Sequence, residues 1–169
     1  MIGYENRILA KEDFNDDKKD AGELGSGHTV TALYELIPAG IKDDILRDAD
    51  PLRYGATVPA IENNYTGNEW MFVKLRYKQP DGDVSKLTEH PVTGENINIK
   101  NTSDNFRFAG AVAAFGMLLR NSAYCGDADF DTVLHLAVDA EGTDSEGYRH
   151  EFTELVKKAA RIKDAARTE

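Results

Sequence analysis

The chain has 169 residues, of which 41% are hydrophobic and 30% charged, and these values are ordinary for a globular protein that builds its own core. Thirty Asp and Glu residues against 20 Lys and Arg residues give a formal net charge of −10, which disfavours nucleic acids and anionic membrane surfaces as partners. No apolar run reaches the roughly 18 residues of a membrane-spanning helix, so direct membrane insertion is not expected. The single cysteine, Cys125, excludes an intrachain disulfide and a cysteine-rich zinc site.

The first part of the chain carries strand patterns separated by irregular segments. Residues 1–9 predict a strand, because apolar side chains share one parity. Residues 11–27 are acidic and glycine-rich, which predicts a loop or a short helix with a loop. Residues 28–37 alternate apolar and polar side chains and predict a second strand. Residues 41–68 predict a long irregular connection, of the kind that is functional or mobile.

The clearest strand pattern is followed by a turn and a return strand. Residues 70–78 alternate along their length, which predicts a strand with two distinct faces. The side chains predicted to face inward are Met71, Val73, Leu75 and Tyr77, and those predicted to face outward are Lys74, Arg76 and Lys78. Pro80 presets φ and Gly82 accepts a positive φ, so a turn is expected there. Residues 85–92 are then the natural return strand of an antiparallel hairpin.

Three helices are predicted in the second part of the chain. Ser103 is a good N-cap for the first, which is apolar nearly all round, a composition typical of a buried helix. The second covers about residues 129–140 and stops at Gly142. Thr143 and Glu146 fit a capping box, with a hydroxyl at the N-cap and Glu three residues later, so a third helix should follow.

These elements predict an α+β fold in one domain that covers residues 1–169. A small antiparallel β-sheet, or partial sandwich, is expected in residues 1–100, which are mainly β in character. A three-helix C-terminal bundle is expected in residues 101–169.

Acidic residues at alternate positions form one candidate metal site. The opening of an EF-hand calcium loop has oxygen ligands at alternate positions, and Asp13, Asn15 and Asp17 have that spacing. The sixth position is Lys18 where Gly is needed, and the twelfth is Leu24 where Glu is needed, so the full loop pattern fails. Two interpretations stay open at this point, a solvated acidic loop or a calcium site. The calcium ligands would be Asp13, Asn15, Asp17 and Asp20.

No pattern of catalytic residues is found in the sequence. The four histidines, at positions 28, 90, 135 and 150, have neither HxxxH nor HExxH spacing, and no GxSxG nucleophile motif occurs. The glycine-rich residues 25–27 lack the Lys of a P-loop and lead into a predicted strand, not a helix. The absence of a well-spaced acid, base and nucleophile favours a binding or scaffolding role over an enzyme.

Several segments together resemble a known family. The matching segments are GYENR at 3–7, EDFNDD at 12–17, DAGELGSGHTVTALYE at 20–35, VKLRYK at 73–78, FRFA at 106–109, AAFGMLLR at 113–120, GYR at 147–149 and Phe152. They are similar to the C-terminal region of bacterial von Willebrand factor type A (vWA) domain proteins of the YfbK type. The block at 20–35 is the most specific of them, and the segments together cover most of the chain.

The resemblance implies that the chain is a fragment of a longer bacterial protein and follows a vWA domain. The metal-ion-dependent adhesion site of vWA domains uses Asp-x-Ser-x-Ser, and this motif is not found here, so the metal ligands of that site have no counterpart in this chain. The resemblance offers no catalytic residues for this region. It implies a periplasmic or cell-surface location, reached through a signal upstream of this chain.

Two functional hypotheses follow. The first is a non-catalytic accessory domain without a cofactor, which packs against the upstream vWA domain and supports binding of a protein ligand or adhesion. The contact is expected in the acidic loop, and its residues would be Glu12, Asp13, Asn15, Asp17, Asp20, Glu23 and His28. The second is a regulatory or adhesion module that binds calcium through Asp13, Asn15, Asp17 and Asp20. Calcium should then raise the melting temperature by mass action.

Overall fold

The computed structural model describes residue 2 and residues 11–19, 22–38 and 69–167. The chain is of the α+β class, as predicted, with a two-stranded antiparallel sheet followed by three helices. The strands are β1 (Glu69–Tyr77) and β2 (Lys86–Thr93), and the helices are α1 (Asp104–Leu119), α2 (Phe130–Asp139) and α3 (Tyr148–Arg167). Short 3-10 helices cover Lys11–Asn15 and Ile99–Asn101.

The described residues divide into two compact units. The hairpin unit contains residues 11–19, 22–28, 35–38 and 69–96, and therefore the whole of β1 and β2. The helical unit contains residue 2 and residues 29–34 and 97–167, and therefore α1, α2 and α3.

The predicted hairpin is confirmed in its position and pairing. Phe72 pairs with Pro91, Lys74 with Glu89 and Arg76 with Leu87 in an antiparallel register. The turn between the strands closes when the amide of Gly82 donates a hydrogen bond to the carbonyl of Gln79 at 2.9 Å. The positive φ of this turn lies at Asp81, at 60°, and not at Gly82. Asp tolerates the left-handed region better than most residues, so the turn forms one position earlier than its glycine indicates.

The predicted inward face of β1 is only partly buried. Met71 and Val73 are half-buried, but Leu75 and Tyr77 are 59% and 47% exposed. Arg76, predicted to face outward, is half-buried. Arg76 is covered by Asn15 and Asp17 of the acidic segment. The described residues contain one two-stranded sheet, so the partial sandwich is not seen in this part of the chain.

The strand predicted over residues 28–37 is wrong. Among the described residues, Leu33 alone of this stretch pairs, in an isolated bridge in which the amide of Ile2 donates to its carbonyl oxygen at 2.7 Å. Side chains of the predicted inward face are exposed, among them Val30 at 77% and Tyr34 at 54%. Alternation alone does not make a strand, which also needs a neighbour for its backbone groups. The strand predicted at 1–9, apart from Ile2, and the connection predicted at 41–68 lie outside the described residues.

Helix α1 begins where the sequence predicts. The Ser103 hydroxyl accepts a hydrogen bond from the amide of Phe106 at 3.2 Å, which satisfies one amide of the first turn. The expectation that this helix is buried all round is wrong, because one side reaches solvent. Phe106, Val112 and Leu119 are 48%, 44% and 56% exposed. The helix is therefore packed on one face only.

The starts of α2 and α3 both depend on aspartate. Asp129 caps α2 by accepting the amide of Thr132 at 2.7 Å. At α3, a carboxylate oxygen of Asp144 accepts the amide of His150 at 2.9 Å. The prediction that the Thr143 hydroxyl caps α3 is therefore wrong. Helix α3 begins at Tyr148, and the carboxylate of the neighbouring Asp144 accepts the amide of its first turn.

The core of the helical unit lies where α2 packs against α1 and α3. Its buried side chains are Ala111, Phe115 and Leu118 from α1, Val133 and Ala137 from α2, and Val156 from α3. Edge-to-face contacts join Phe115 to Phe130 and Phe152, with ring centroids 6.1 and 5.4 Å apart. Among the described residues, no helix is long and apolar enough to cross a membrane.

Candidate functional site

The acidic segment highlighted by the sequence docks on the hairpin through a polar cluster. We define the hairpin cluster as Asn15, Asp17, Arg76, Lys78 and Ser85, all of which lie in the hairpin unit. The 3-10 helix Lys11–Asn15 and the turn that follows it bring Asn15 and Asp17 to the end of β1, next to the turn that leads into β2.

Arg76 is the centre of the hairpin cluster. Its Nε donates a hydrogen bond to the Ser85 hydroxyl at 2.8 Å, and its Nη1 donates to Asn15 Oδ1 at 2.8 Å. Its Nη2 lies 3.7 Å from Asp17 Oδ1. The fixed fork of a guanidinium suits this arrangement, because several donors can point at separate acceptors at once.

Asp17 is held by three parts of the hairpin. The Ser85 hydroxyl donates a hydrogen bond to its carboxylate, and Lys78 Nζ donates to its backbone carbonyl at 2.6 Å. The hydrogen bond from Ser85, assisted by the positive charges of Arg76 and Lys78, lowers the pKa of the Asp17 carboxyl below its ordinary value. The carboxylate is therefore ionised at neutral pH and fixes the acidic segment to β1.

The remaining predicted contact residues are spread along the segment. Asp13 forms an ion pair with Lys19 at 3.5 Å and is half-buried. Glu12, Glu23 and His28 are exposed. Asp20 lies outside the described residues. The structure thus brings Asn15 and Asp17 together around Arg76, and it leaves the three exposed side chains free of that cluster.

The sequence pattern does not reveal the hairpin half of this cluster. It predicts Arg76 and Lys78 on the solvent face of β1, and Ser85 only as the start of the return strand. A signal was present, because an acidic segment and a strand with three alternating cations occur in the same chain. The alternation predicts a shared face for the cations, but it cannot say which distant segment covers that face.

The acidic residues of the calcium hypothesis pair with cations in the structure. Lys19 lies against Asp13, and Arg76 lies against Asn15 and Asp17. Within residues 2, 11–19, 22–38 and 69–167, no group of three or more His, Cys, Asp or Glu side chains could hold a metal ion. With Asp20 outside the described residues, the calcium site stays a prediction, and its test is a rise in melting temperature at millimolar calcium.

A second polar feature is an open depression of about 470 Å³ where the loop between α2 and α3 faces the start of α1. Its lining is rich in acids, with Asp104, Glu141, Asp144 and Glu146 around its edge. Arg149 crosses it, donating to the carbonyl of Ala140 at 2.7 Å. Asp144 also caps α3, so Arg149 and Asp144 hold the loop in place.

Comparison with known proteins places the chain in a family. The family model described as "Uncharacterized protein YfbK, C-terminal" matches residues 1–162. The chain belongs to the family of YfbK C-terminal domains. It is also 39% identical over 164 residues to a protein described as "Uncharacterized protein YfbK" from Escherichia coli (strain K12). No solved structure matches the chain significantly.

The alignment with the Escherichia coli protein covers 97% of this chain but 27% of that protein. This YfbK C-terminal domain therefore spans about a quarter of the length of the curated relative. In the described residues of the domain, both polar features serve internal contacts. The hairpin cluster fixes the acidic segment to β1, and Asp144 in the α2–α3 depression caps the start of α3.

Proposed function

We propose that the chain is a non-catalytic accessory domain that packs against an upstream vWA domain of the same polypeptide and supports protein binding or adhesion. The family description "C-terminal" and the greater length of the Escherichia coli relative support a domain that works as part of a longer chain. The vWA partner rests on the resemblance of the segments given above. That resemblance also supports a periplasmic or cell-surface location.

The observation that carries this proposal is the apolar surface of the hairpin unit. The exposed fractions are 51% for Trp70, 46% for Phe72, 59% for Leu75, 47% for Tyr77 and 48% for Leu87. Leu75 and Tyr77 lie on one face of the hairpin, and Phe72 and Leu87 lie on the other. Exposed apolar side chains grouped on a face, as Leu75 and Tyr77 are, are typical of protein–protein contacts. A two-stranded hairpin is also marginally stable by itself, so burial of its apolar side chains by another domain would stabilise it.

The acidic segment would have a positioning role in this contact. Asn15 and Asp17 are engaged with Arg76, so they hold residues 11–19 on the hairpin. Glu12 and Glu23 are exposed and could meet cations of the partner domain. Such charges at the rim of an interface contribute more to association rate and specificity than to affinity.

The first test is the coding sequence upstream of Met1. An open reading frame that continues upstream and carries Asp-x-Ser-x-Ser supports the vWA partner. A stop codon and a ribosome-binding site directly upstream would contradict it.

The second test is a titration of this chain with the separately produced upstream domain. Leu75→Asp should weaken binding by about tenfold or more, because a charge would replace an apolar contact at the centre of the interface. Val84→Asp is the matched control, since Val84 is 74% exposed in the connection between the strands and outside the apolar surface of β1. Equal affinities for Leu75→Asp and the parent would contradict the proposed surface. Loss of the segment over residues 11–27 should also weaken docking.

A further inference from the structure

Helix α3 carries an apolar stripe on a side that the core of the helical unit does not cover, next to the core-packed Phe152 and Ala159. Tyr148, Leu155 and Ile162 are 71%, 52% and 62% exposed. They are spaced seven residues apart, so they follow one another along the same side of the helix. The core-facing side chains of α3 are different ones, since Thr153 and Val156 are its buried residues. The stripe is therefore available to a partner without disturbing the core.

The stripe is symmetric about its central residue. Tyr148 and Ile162 each lie seven residues from Leu155, or about 10 Å along the axis at a rise of about 1.5 Å per residue. Two copies of α3 that run antiparallel and cross at Leu155 would place each Tyr148 beside the Ile162 of the other copy. The surface is thus self-complementary in shape, as a two-fold interface requires.

The charges beside the stripe are segregated along the helix. Glu151 and Glu154 lie in the first half of α3, whereas Lys158 and Arg161 lie in the second half, and all four are exposed. An antiparallel copy sets the acidic half against the basic half, and Glu151 of each copy approaches Lys158 of the other. A parallel copy would place like charges side by side, which is unfavourable.

Glu151 and Lys158 are open to this pairing. Glu154 is already paired with Lys157 on the same helix at 2.7 Å. Neither Glu151 nor Lys158 makes an ion pair in the part of the chain that the structure describes. Pairing of Glu151 in one copy with Lys158 in the other would therefore break no ion pair within either copy.

We infer that α3 associates with α3 of a second copy of this chain in an antiparallel, two-fold pair centred on Leu155. This contact is separate from the docking surface proposed on the hairpin, because all of its residues lie on α3 in the helical unit. Two such contacts, one to a neighbouring domain and one to a second copy, can exist in one protein. The charge pattern identifies the partner as a second copy of this chain, because the acidic first half of α3 complements the basic second half of the same helix.

The test is sedimentation equilibrium of the chain over a range of protein concentrations. The parent should show a monomer–dimer equilibrium, and Leu155→Glu should raise the dissociation constant by about tenfold or more. Leu119→Glu on α1 is the matched control, since Leu119 is 56% exposed on another helix and its variant should associate like the parent. A monomer at all concentrations, or an equal effect of both variants, would overturn the inference.

Exchanging the charges of residues 151 and 158 tests the antiparallel geometry itself. The double variant also distinguishes a lost contact from a misfolded chain. Glu151→Lys alone and Lys158→Glu alone should each weaken the dimer, because like charges then meet across the two-fold axis. The double variant should restore association to near the parent level, since each pair is re-formed with the signs reversed. A double variant that is no tighter than the single variants would contradict the proposed geometry. Circular dichroism should show the same helix content throughout.

Discussion

The carboxylate of Asp17 accepts a hydrogen bond from the hydroxyl of Ser85, 68 residues further along the chain. Arg76 lies beside both groups, with 2.8 Å between its Nε and the Ser85 hydroxyl. This contact joins the acidic segment to the hairpin, so it links residues 12–17, one of the segments that carry the family resemblance, to the strands that bear the surface proposed for docking. The protonation state of the Asp17 carboxyl should therefore control how firmly residues 11–19 are held on the hairpin.

The first prediction concerns pH. The hydrogen bond from Ser85 lowers the pKa of Asp17 below its ordinary value of 3.8. A carboxyl with a depressed folded-state pKa stabilises the fold above its unfolded-state pKa, and this contribution is lost as the pH falls through the folded-state value. We expect residues 11–19 to stay on the hairpin at neutral pH and to detach only in acid, as the pH falls below 3.8 and through the depressed folded-state pKa of Asp17, as followed by amide hydrogen exchange.

A pair of variants checks the cause. Ser85→Ala should bring the pKa of Asp17, measured by its carboxyl carbon shift in NMR, back toward the ordinary value, because the main donor is gone. Ser145→Ala, at an exposed position of the helical unit, is the control and should leave that pKa unchanged. An unchanged Asp17 pKa in Ser85→Ala would show that Ser85 is not the cause.

The comparison of sequence and structure separates local from distant causes. Ser103 was predicted as the N-cap of α1 because a cap depends on residues two or three positions away. The contact of Arg76 with Asp17 could not be predicted, since strand alternation assigns a face but not what covers it. The same limit explains the false strand at residues 28–37, which alternate as a strand does but, among the described residues, form only the bridge of Leu33 with Ile2.

The second prediction concerns the start of α1. Ser103→Ala should lower the free energy of unfolding by about 1 kcal/mol, because the amide of Phe106 loses its acceptor. Ser103→Asp should retain the cap, since an aspartate carboxylate can accept the same amide. Urea denaturation followed by circular dichroism measures both. Equal losses in the two variants would mean that the hydroxyl does not act as a cap.

The third prediction concerns the core. Val156→Ala should lower the free energy of unfolding by about 2 kcal/mol, because Val156 is fully buried and its removal leaves a cavity. Val138→Ala is the matched control on α2, where Val138 is 48% exposed, and its effect should stay within about 0.5 kcal/mol. The same denaturation experiment applies. A larger loss in Val138→Ala than in Val156→Ala would contradict the assignment of the core.

The fourth prediction concerns Arg149, which holds the loop before α3. Its Nη1 donates to the carbonyl of Ala140 at 2.7 Å, its Nη2 donates to Asn105 Oδ1 at 2.5 Å, and its guanidinium lies 4.9 Å from the centroid of the Phe108 ring. Lysine keeps the charge but cannot donate to both acceptors while stacking on the ring. We expect Arg149→Lys to lower the free energy of unfolding by about 1.5 kcal/mol.

The control for this prediction is Arg161→Lys on the exposed side of the same helix, where the change should be within about 0.5 kcal/mol. Hydrogen exchange adds a second readout, because the amide of His150 is held by the Asp144 carboxylate in the loop that Arg149 supports. Faster exchange of that amide in Arg149→Lys, with Arg161→Lys unchanged, is the expected result. If both variants unfold at the same urea concentration, the three contacts of Arg149 do not stabilise the helical unit, and the loop is held by the Asp144 cap alone.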